Sequence, residues 1–193
     1  MSSHVETKKN NRRSQIVESL IPLISSVPFD QLHVSQLCSA ANISIGSFYH
    51  YFNSKNDILI GLITLIDEYM VNEVFPLLTA ESELENLLTF SRGGARHVEA
   101  NGIERSRLIS QIDPRHDDFS GQKRVTLAKL EELIARGQAK GEVTASRTAE
   151  ELSLLFMLAM RGVTTDWSRC EGRYSVVEKM EQFISLFVAA LRP

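Results

Sequence analysis

The 193-residue sequence is poor in the features that mark several special classes of protein. It has two cysteines, Cys38 and Cys170, and neither belongs to a CxxC pair or a Cys/His cluster, which excludes a disulfide framework and a zinc site of familiar spacing. No apolar run reaches the roughly 18 to 20 residues that a membrane span requires, and no apolar signal core follows the polar N-terminus. We therefore expect a cytoplasmic protein without a bound metal or other cofactor.

Basic residues are not in excess either, because the formal net charge is −3. A chain of this charge does not bind nucleic acid over its whole surface, so any contact with DNA must be local. The clearest basic cluster is Lys8, Lys9, Arg12 and Arg13. It is compatible with contacts to DNA and equally with a solvated tail.

Signatures of catalysis are missing as well. The sequence has no nucleophile elbow, no phosphate-binding glycine loop, no HExxH and no paired catalytic carboxylates. Histidine and acidic residues occur together near 97–99 and 113–118, but their spacing matches no metal-binding motif. We predict that the protein is not an enzyme.

Hydrophobic periodicity predicts an all-α fold, because apolar residues recur at helical spacing and no stretch alternates. Thr148 and Glu151 form a capping-box pattern at the start of the penultimate helix. Helices are predicted over about 10–26, 34–41, 45–51, 55–75, 82–99, 102–112, 118–140, 148–169 and 175–191.

Residues 32–55 carry the clearest functional signal. Two short predicted helices, 34–41 and 45–51, are separated by a turn that begins at Asn42. Asparagine tolerates the left-handed backbone conformation that such a turn needs, and Ser44 can cap the second helix. Because helices this short are not stable alone, the pattern predicts a helix-turn-helix packed on a third helix.

This segment resembles the N-terminal head of the TetR/AcrR family of transcriptional regulators, whose pattern runs roughly T-V-x-x-I-A-x-x-A-G-V-S-x-G-T-F-Y-x-Y-F-x-S-K. From Val34 to Lys55 this chain has V-S-Q-L-C-S-A-A-N-I-S-I-G-S-F-Y-H-Y-F-N-S-K. It departs from the pattern at Asn42 for glycine, Cys38 for alanine and Ser47 for threonine. Each departure keeps the residue size or the backbone tolerance.

The resemblance implies a three-helix helix-turn-helix head, joined by a connector helix to a larger α-helical body that binds ligand and dimerises. We place the DNA-binding head at residues 1–54. The connector, effector-binding and dimerisation domain then covers residues 55–193.

Carried over position by position, the resemblance implies two sets of DNA-contacting residues. The phosphate contacts would be Ser35, Tyr49, His50 and Lys55. The residues facing base edges in the major groove would be Ser44, Ile45, Gly46 and Ser47. Because residues 44–47 include no Arg, Lys, Asn or Gln, the strongest bidentate base readers are missing. We predict that operator choice depends on thymine methyl groups, hydroxyl contacts and DNA shape.

The last two helices carry more apolar residues than one chain can cover. Residues 152–163 are apolar around nearly the whole helix, and the final helix repeats this composition. The resemblance implies that a second chain covers the remaining face in a two-fold symmetric four-helix interface, which would make the operator palindromic. The predicted interface residues are Leu152, Phe156, Ala159, Val163, Met180, Phe183, Ile184 and Phe187.

The resemblance also implies an effector pocket between the connector and the dimer helices. The candidate lining residues are Phe90, Arg96, His97, Arg107, Met157, Met160 and Trp167. The aromatic and methionine side chains would equally fill a core, and the arginines would suit an anionic ligand or the surface. An effector that prefers one body conformation would shift the connector, predicted over 55–75, and so change the spacing of the two recognition helices.

The sequence therefore predicts a DNA-binding transcriptional regulator. As a repressor it would bind palindromic double-stranded DNA as a homodimer and be released by an unidentified small molecule. The alternative is an architectural or protein-interaction DNA-binding dimer without effector control. Ligand-sensitive operator binding separates the two.

Overall fold

The computed structural model describes residues 2–110, 112, 118–119 and 122–193, with side chains described for 10–110, 112 and 124–193. The fold is all-α, as the periodicity predicts, and the chain divides into two compact units, Met1–Ile66 and Asp67–Pro193. The helices are α1 (Ser2–Ser26), α2 (Val34–Ala40), α3 (Ile45–Tyr51), α4 (Asp57–Tyr69), α5 (Glu83–Ser110), α6 (Val125–Ala139), α7 (Ala149–Arg169) and α8 (Val176–Ala190). No helix in the described part of the chain combines the length and the apolarity needed to span a membrane.

The first unit is built around a small apolar core. α1 packs against α2, and α2 packs against α3. Leu20, Leu37 and Phe48 are fully shielded from solvent. A Cβ atom on Gly61 would lie 2.5 Å from Val17 Cγ2, so α4 can pass this close to α1 only because residue 61 is glycine.

In the second unit, α5 packs against α6, α7 and α8. The core between these helices includes Leu87, Leu133, Phe156 and Ile184, all fully buried. The predicted capping box is confirmed: the Glu151 N–H donates to Thr148 Oγ1 at 3.1 Å, and the Thr148 N–H donates to Glu151 Oε2 at 2.9 Å. The start of α7 is therefore set by local sequence.

The predicted connector helix over 55–75 is wrong at its C-terminal end. Regular α-helix stops at Tyr69, continues as a π-helical turn over Met70–Val74 and ends in a 3-10 turn over Phe75–Leu77. Proline has no N–H to donate and its ring crowds the carbonyl four residues earlier, so Pro76 disfavours a regular helix here. The boundary between the compact units falls within α4, at Ile66–Asp67, whereas the functional boundary at residue 54 remains a prediction.

Other helix boundaries differ where long-range packing or backbone pairing overrides periodicity. The helix predicted over 118–140 begins only at Val125, because Asp118–Phe119 (β1) pairs antiparallel with Gln122–Lys123 (β2). The helices predicted over 82–99 and 102–112 run together as α5, with a break at Gly102, where φ is 79° and ψ is 177°. α1 begins at Ser2 rather than near residue 10.

Candidate nucleic-acid interface

The turn between α2 and α3 has the geometry that its residues predict. Asn42 adopts a φ of 51°, in the left-handed region. The Ile43 N–H donates to the Cys38 carbonyl at 3.0 Å and closes the end of α2. Ser44 then caps α3, since its Oγ accepts the Ser47 N–H at 3.0 Å. The direction in which α3 leaves the turn is therefore fixed by local contacts.

One side of α3 is buried and the other is open. Phe48 and Phe52 fill the core, with ring centroids 5.1 Å apart. On the opposite side Ile45 and Tyr49 are each 55% exposed. A recognition helix needs an open side of this kind, since base edges are read from side chains that project away from the protein core.

A hollow of about 480 Å³ lies beside the open side of α3. Its lining is rich in short polar side chains and includes Ser35, Cys38, Ser39, Asn42, Ile43, Ser44 and Ile45. A Cβ atom on Gly46 would come no closer than 3.9 Å to Ser44 Oγ, so packing within the head does not require glycine there. Two of the predicted base-facing residues, Ser44 and Ile45, therefore border an open hollow on the surface.

Most of the predicted phosphate-contacting residues are open to solvent, but the charged group of Lys55 is bonded within the protein. Ser35, Tyr49 and His50 are exposed. The Lys55 ammonium donates hydrogen bonds to three backbone carbonyls of the segment that precedes α2. The charged group of Lys55 therefore already has three hydrogen-bond acceptors within the protein.

Arg13 in the N-terminal basic cluster also has an internal role. Its Nη2 donates to the Asp57 carbonyl at 3.2 Å, and its guanidinium carbon lies 5.5 Å from the Phe52 ring centroid. Arg13 therefore fastens α1 to the start of α4. Arg12 is exposed and donates to Gln15 at 3.2 Å.

Residues 16–62, which contain these helices and the turn, match the family model for bacterial regulatory proteins of the tetR family. This part of the chain is therefore a helix-turn-helix head of the TetR-family type. The protein is a DNA-binding transcriptional regulator, and the helix-turn-helix described above is its DNA-binding element.

Similarity to known proteins extends beyond the head. The chain is 28% identical to the transcriptional regulator AcuR of Cereibacter sphaeroides over 69% of its own length and 66% of AcuR, just under two thirds. It is 23% identical to the nucleoid occlusion factor SlmA of Cronobacter sakazakii over 97% of this chain and 98% of SlmA. The fold resembles that of FadR from Bacillus subtilis in complex with stearoyl-CoA, with a TM-score of 0.75, 17% identity, and coverage of 92% of this chain and 98% of FadR.

In the second unit, three of the residues predicted to line a TetR-family effector pocket lie on α5 and α7. They are near the contacts between these helices and the turns that follow α4. Phe90 is buried and its ring centroid lies 6.2 Å from that of Phe75. The His97 ring centroid lies 4.3 Å from that of Tyr69. Met160 is buried, and its Cε would lie 3.0 Å from a Cβ atom on Gly94.

The other predicted pocket residues are placed differently. Arg96 is exposed, and Arg107 forms ion pairs with Glu104 at 2.8 Å and with Glu171. Met157 is half-buried, and Trp167 is buried with its indole N–H donating to the Tyr174 carbonyl at 2.9 Å. The two arginines therefore stabilise the surface of the unit or face solvent, and Trp167 fastens the loop between α7 and α8.

His97 has an unusual environment for a histidine. Burial, together with the nearby Arg105 guanidinium, lowers the pKa of His97 to about 4, so the imidazole is neutral at neutral pH. Its Nε2 is buried without a hydrogen-bond partner among the described residues. Such an atom is a candidate partner for a bound molecule.

Sequence reasoning missed three residues around His97: Tyr69, Asn101 and Arg105. Asn101 donates to the His97 carbonyl at 2.7 Å and accepts from Arg105, which is buried. Gly102 breaks the helix between His97 and Arg105, which changes the helical phase. For this reason, periodicity read from one side of the break does not predict which residues face inward on the other side.

The predicted dimer interface divides into buried and exposed residues. Ala159 and Phe187 are half-buried and Phe183 is 47% exposed. Five residues belong to the core of the second unit itself and do not face outward: Leu152, Phe156, Val163, Met180 and Ile184. The exposed large apolar side chains of α7 and α8 are Phe183, which was predicted, and Leu154, Leu155, Leu158 and Leu186, which were not.

Metal ligands were not expected, and the described residues contain no group of three or more His, Cys, Asp or Glu side chains that could hold an ion. The acidic and histidine residues at 113–117 lie outside the described part of the chain. Cys38 and Cys170 are free thiols.

Proposed function

We propose that this TetR-family protein is a repressor that binds a palindromic double-stranded operator as a homodimer and is released by a small-molecule effector. The observation that supports base recognition by α3 is its open side, where Ile45 is 55% exposed beside short polar side chains. Residues 44–47 present to DNA the aliphatic side chain of Ile45, two serine hydroxyl groups and the backbone at Gly46. A thymine methyl group is the base feature that an exposed isoleucine can contact.

We expect Ile45 to recognise at least one thymine in each half-site. An operator selected from random duplexes should bind about fourfold more weakly when that thymine is replaced by uracil, because one methyl group leaves an apolar contact worth about 0.8 kcal/mol. Fluorescence anisotropy with each thymine replaced in turn measures this loss. The Ile45→Ala protein should bind thymine and uracil operators equally, whereas Gly46→Ala should retain the thymine preference.

The thymine experiment has two outcomes that contradict the proposal. One is wild-type protein that is indifferent to uracil at every operator position. The other is an Ile45→Ala protein that still distinguishes uracil at the same position as the wild type, which would assign the methyl contact to another residue.

Release by an effector is proposed for the site around His97. The His97 ring packs on Tyr69, and its neutral imidazole has a buried Nε2 without a partner among the described residues. This environment suits a ligand that combines an apolar group with an uncharged polar group. FadR of the same fold is known in complex with stearoyl-CoA, which makes an acyl-CoA the first effector to test.

We expect saturating stearoyl-CoA to weaken operator binding at least tenfold, a coupling free energy of about 1.4 kcal/mol. The Gly94→Leu substitution introduces a side chain whose Cβ alone would lie 3.0 Å from Met160 Cε, so it should fill the site. This variant should bind operator normally and lose the response. Arg96→Ala, at an exposed position of the same helix, should keep it.

A second candidate function is favoured by the similarity to SlmA, which extends over 97% of this chain. In that case the protein would be a DNA-binding dimer that acts through another protein rather than through a small effector. Operator affinity that stays the same with stearoyl-CoA, in wild type and Gly94→Leu alike, would favour this candidate over effector release.

A further inference from the structure

The ammonium group of Lys55 lies among three backbone carbonyls. Its Nζ donates to the carbonyl of Phe29 at 2.9 Å, to that of Asp30 at 3.0 Å and to that of Leu32 at 3.0 Å. It also lies 5.1 Å from the centroid of the Phe29 ring. An ammonium has three hydrogens to donate, and here each has an acceptor.

The three carbonyls belong to the 3-10 turn Phe29–Gln31 and to Leu32, which ends it. The Phe29 carbonyl also accepts the Leu32 N–H, whereas no backbone N–H among the described residues donates to the carbonyls of Asp30 and Leu32. A cation at the end of a helical turn satisfies such carbonyls and interacts favourably with their dipoles. His33 follows as the residue that caps α2, with its N–H donating to Gln36 Oε1 at 2.9 Å. Lys55 therefore holds the segment from which α2 starts.

Lys55 follows α3 in the chain after only three residues, since α3 ends at Tyr51. One side chain thus connects the segment after α3 to the segment before α2, the two helices that form the helix-turn-helix. Their short turn at Asn42 fixes the other end of the pair. Loss of the ammonium would remove the hydrogen bonds that hold the two helices together at this second end.

We propose that Lys55 is a positioning residue of the DNA-binding head, which sets the orientation of α2 relative to α3 and makes no contact with DNA phosphate. This inference rests on the proposed use of α2 and α3 for operator binding. It replaces the phosphate contact that the sequence pattern implies for this lysine.

The two roles of Lys55 predict different salt dependences. Loss of a phosphate contact lowers the log–log slope of operator affinity against salt concentration by about 0.9, whereas a positioning role lowers affinity at every salt concentration with the slope unchanged. We expect Lys55→Met to weaken operator binding at least tenfold without a change of slope. Lys55→Met keeps an unbranched apolar side chain and removes the terminal ammonium with its charge and its donors.

Lys55→Arg separates the roles further. A guanidinium is a good phosphate ligand, but its planar fork cannot direct three hydrogen bonds into the space that one ammonium fills. We therefore expect Lys55→Arg to lose affinity as Lys55→Met does, with the wild-type slope. A slope reduced by about 0.9 in Lys55→Met and restored with wild-type affinity in Lys55→Arg would overturn the proposal, and so would unchanged affinity in Lys55→Met.

NMR of the wild-type protein, first without DNA and then with operator, tests the role of Lys55 separately from the proposed function. In the free wild-type protein, the nitrogen-15 NMR signal of the Lys55 ammonium should show slow hydrogen exchange because its donors are bonded, and it should persist when operator is added. Amide exchange of Leu32, whose N–H donates to the Phe29 carbonyl at 3.3 Å, should accelerate in Lys55→Met. A fast-exchanging ammonium that becomes protected only with operator would contradict the inference even if the variants fail to fold.

Discussion

Replacing Leu158 with glutamate should convert the proposed homodimer to a monomer and weaken operator binding at least 100-fold. Leu158 is 64% exposed on α7, next to Leu155 at 43% on the same face of that helix. α8, which packs against α7, exposes Leu186 at 73% and Phe183 at 47%. Soluble proteins seldom leave such a group of large apolar side chains in water, so this face is suited to a second copy of the chain.

The size of the Leu158→Glu effect follows from two-fold symmetry. Each substitution is present twice in a homodimer, and burying an unpaired carboxylate in an apolar interface costs several kcal/mol. Loss of the dimer also removes the gain from binding two half-sites at once, which is commonly 100-fold or more. Sedimentation velocity at micromolar concentration measures the first effect, and operator titration measures the second.

Leu77→Glu is the matched control for Leu158→Glu. Leu77 is similarly exposed, at 59%, but lies in the 3-10 turn Phe75–Leu77 and not on α7 or α8. This variant should remain dimeric and bind operator as the wild type does. A Leu158→Glu protein that still sediments as a dimer would place the interface elsewhere.

Replacing Glu83 with glutamine should lower the free energy of unfolding of the second unit by about 2 to 3 kcal/mol. The Glu83 side chain is fully buried at the start of α5. Its Oε1 accepts from Arg136 Nε at 2.8 Å and from Lys140 Nζ at 2.8 Å, and its Oε2 accepts from Asn86 at 3.0 Å. The carboxylate therefore joins the first turn of α5 to the last turn of α6.

The expected loss is below the 3 to 5 kcal/mol typical of a broken buried ion pair, because Arg136 and Lys140 are each 43% exposed and can be solvated when the carboxylate is gone. Urea unfolding monitored by Trp167 fluorescence, a probe in the second unit, measures the change. Glu132→Ala is the control: Glu132 contacts Arg136 at 3.3 Å but is 49% exposed, and its loss should cost no more than about 0.5 kcal/mol.

The Glu83→Gln effect should depend on pH. Burial by itself would raise the pKa of Glu83, but hydrogen bonds from Lys140, Arg136 and Asn86 outweigh it and lower the pKa. A carboxyl whose pKa is lower in the folded state stabilises the fold above its unfolded pKa of about 4.3, and this contribution is lost as the pH falls through the folded pKa. The difference between wild type and Glu83→Gln should therefore be full at pH 7 and shrink below about pH 4. A difference that does not change between pH 7 and pH 3 would contradict the ionic account.

Features that depend on neighbouring residues were predictable from the sequence. The left-handed Asn42, the Ser44 cap and the Thr148–Glu151 capping box each involve contacts within about four residues. Proline and glycine also marked real breaks, although Pro76 produced a π-helical and a 3-10 turn where a simple helix end was expected.

Features that depend on distant partners were not predictable. Helical periodicity indicated that α7 and α8 have two apolar sides, but not which side faces the core of their own unit. For this reason, Phe156 and Ile184, predicted in the interface, are fully buried in the core, while Leu158 and Leu186 are exposed. Glu83, one acidic residue among several near the start of α5, carried no signal of the bonds to Arg136 and Lys140 more than 50 residues away.

By itself, the sequence determined that this protein is all-α and that residues 32–55 form a helix-turn-helix of the TetR family, because turns, caps and the spacing of apolar residues are local properties. Only the tertiary structure decided what the charged side chains do. The ammonium of Lys55 lies among the carbonyls of Phe29, Asp30 and Leu32, more than 20 residues earlier in the chain. A lysine has the same charge whether it faces a phosphate or a carbonyl, and the fold alone brings one of these acceptors within reach.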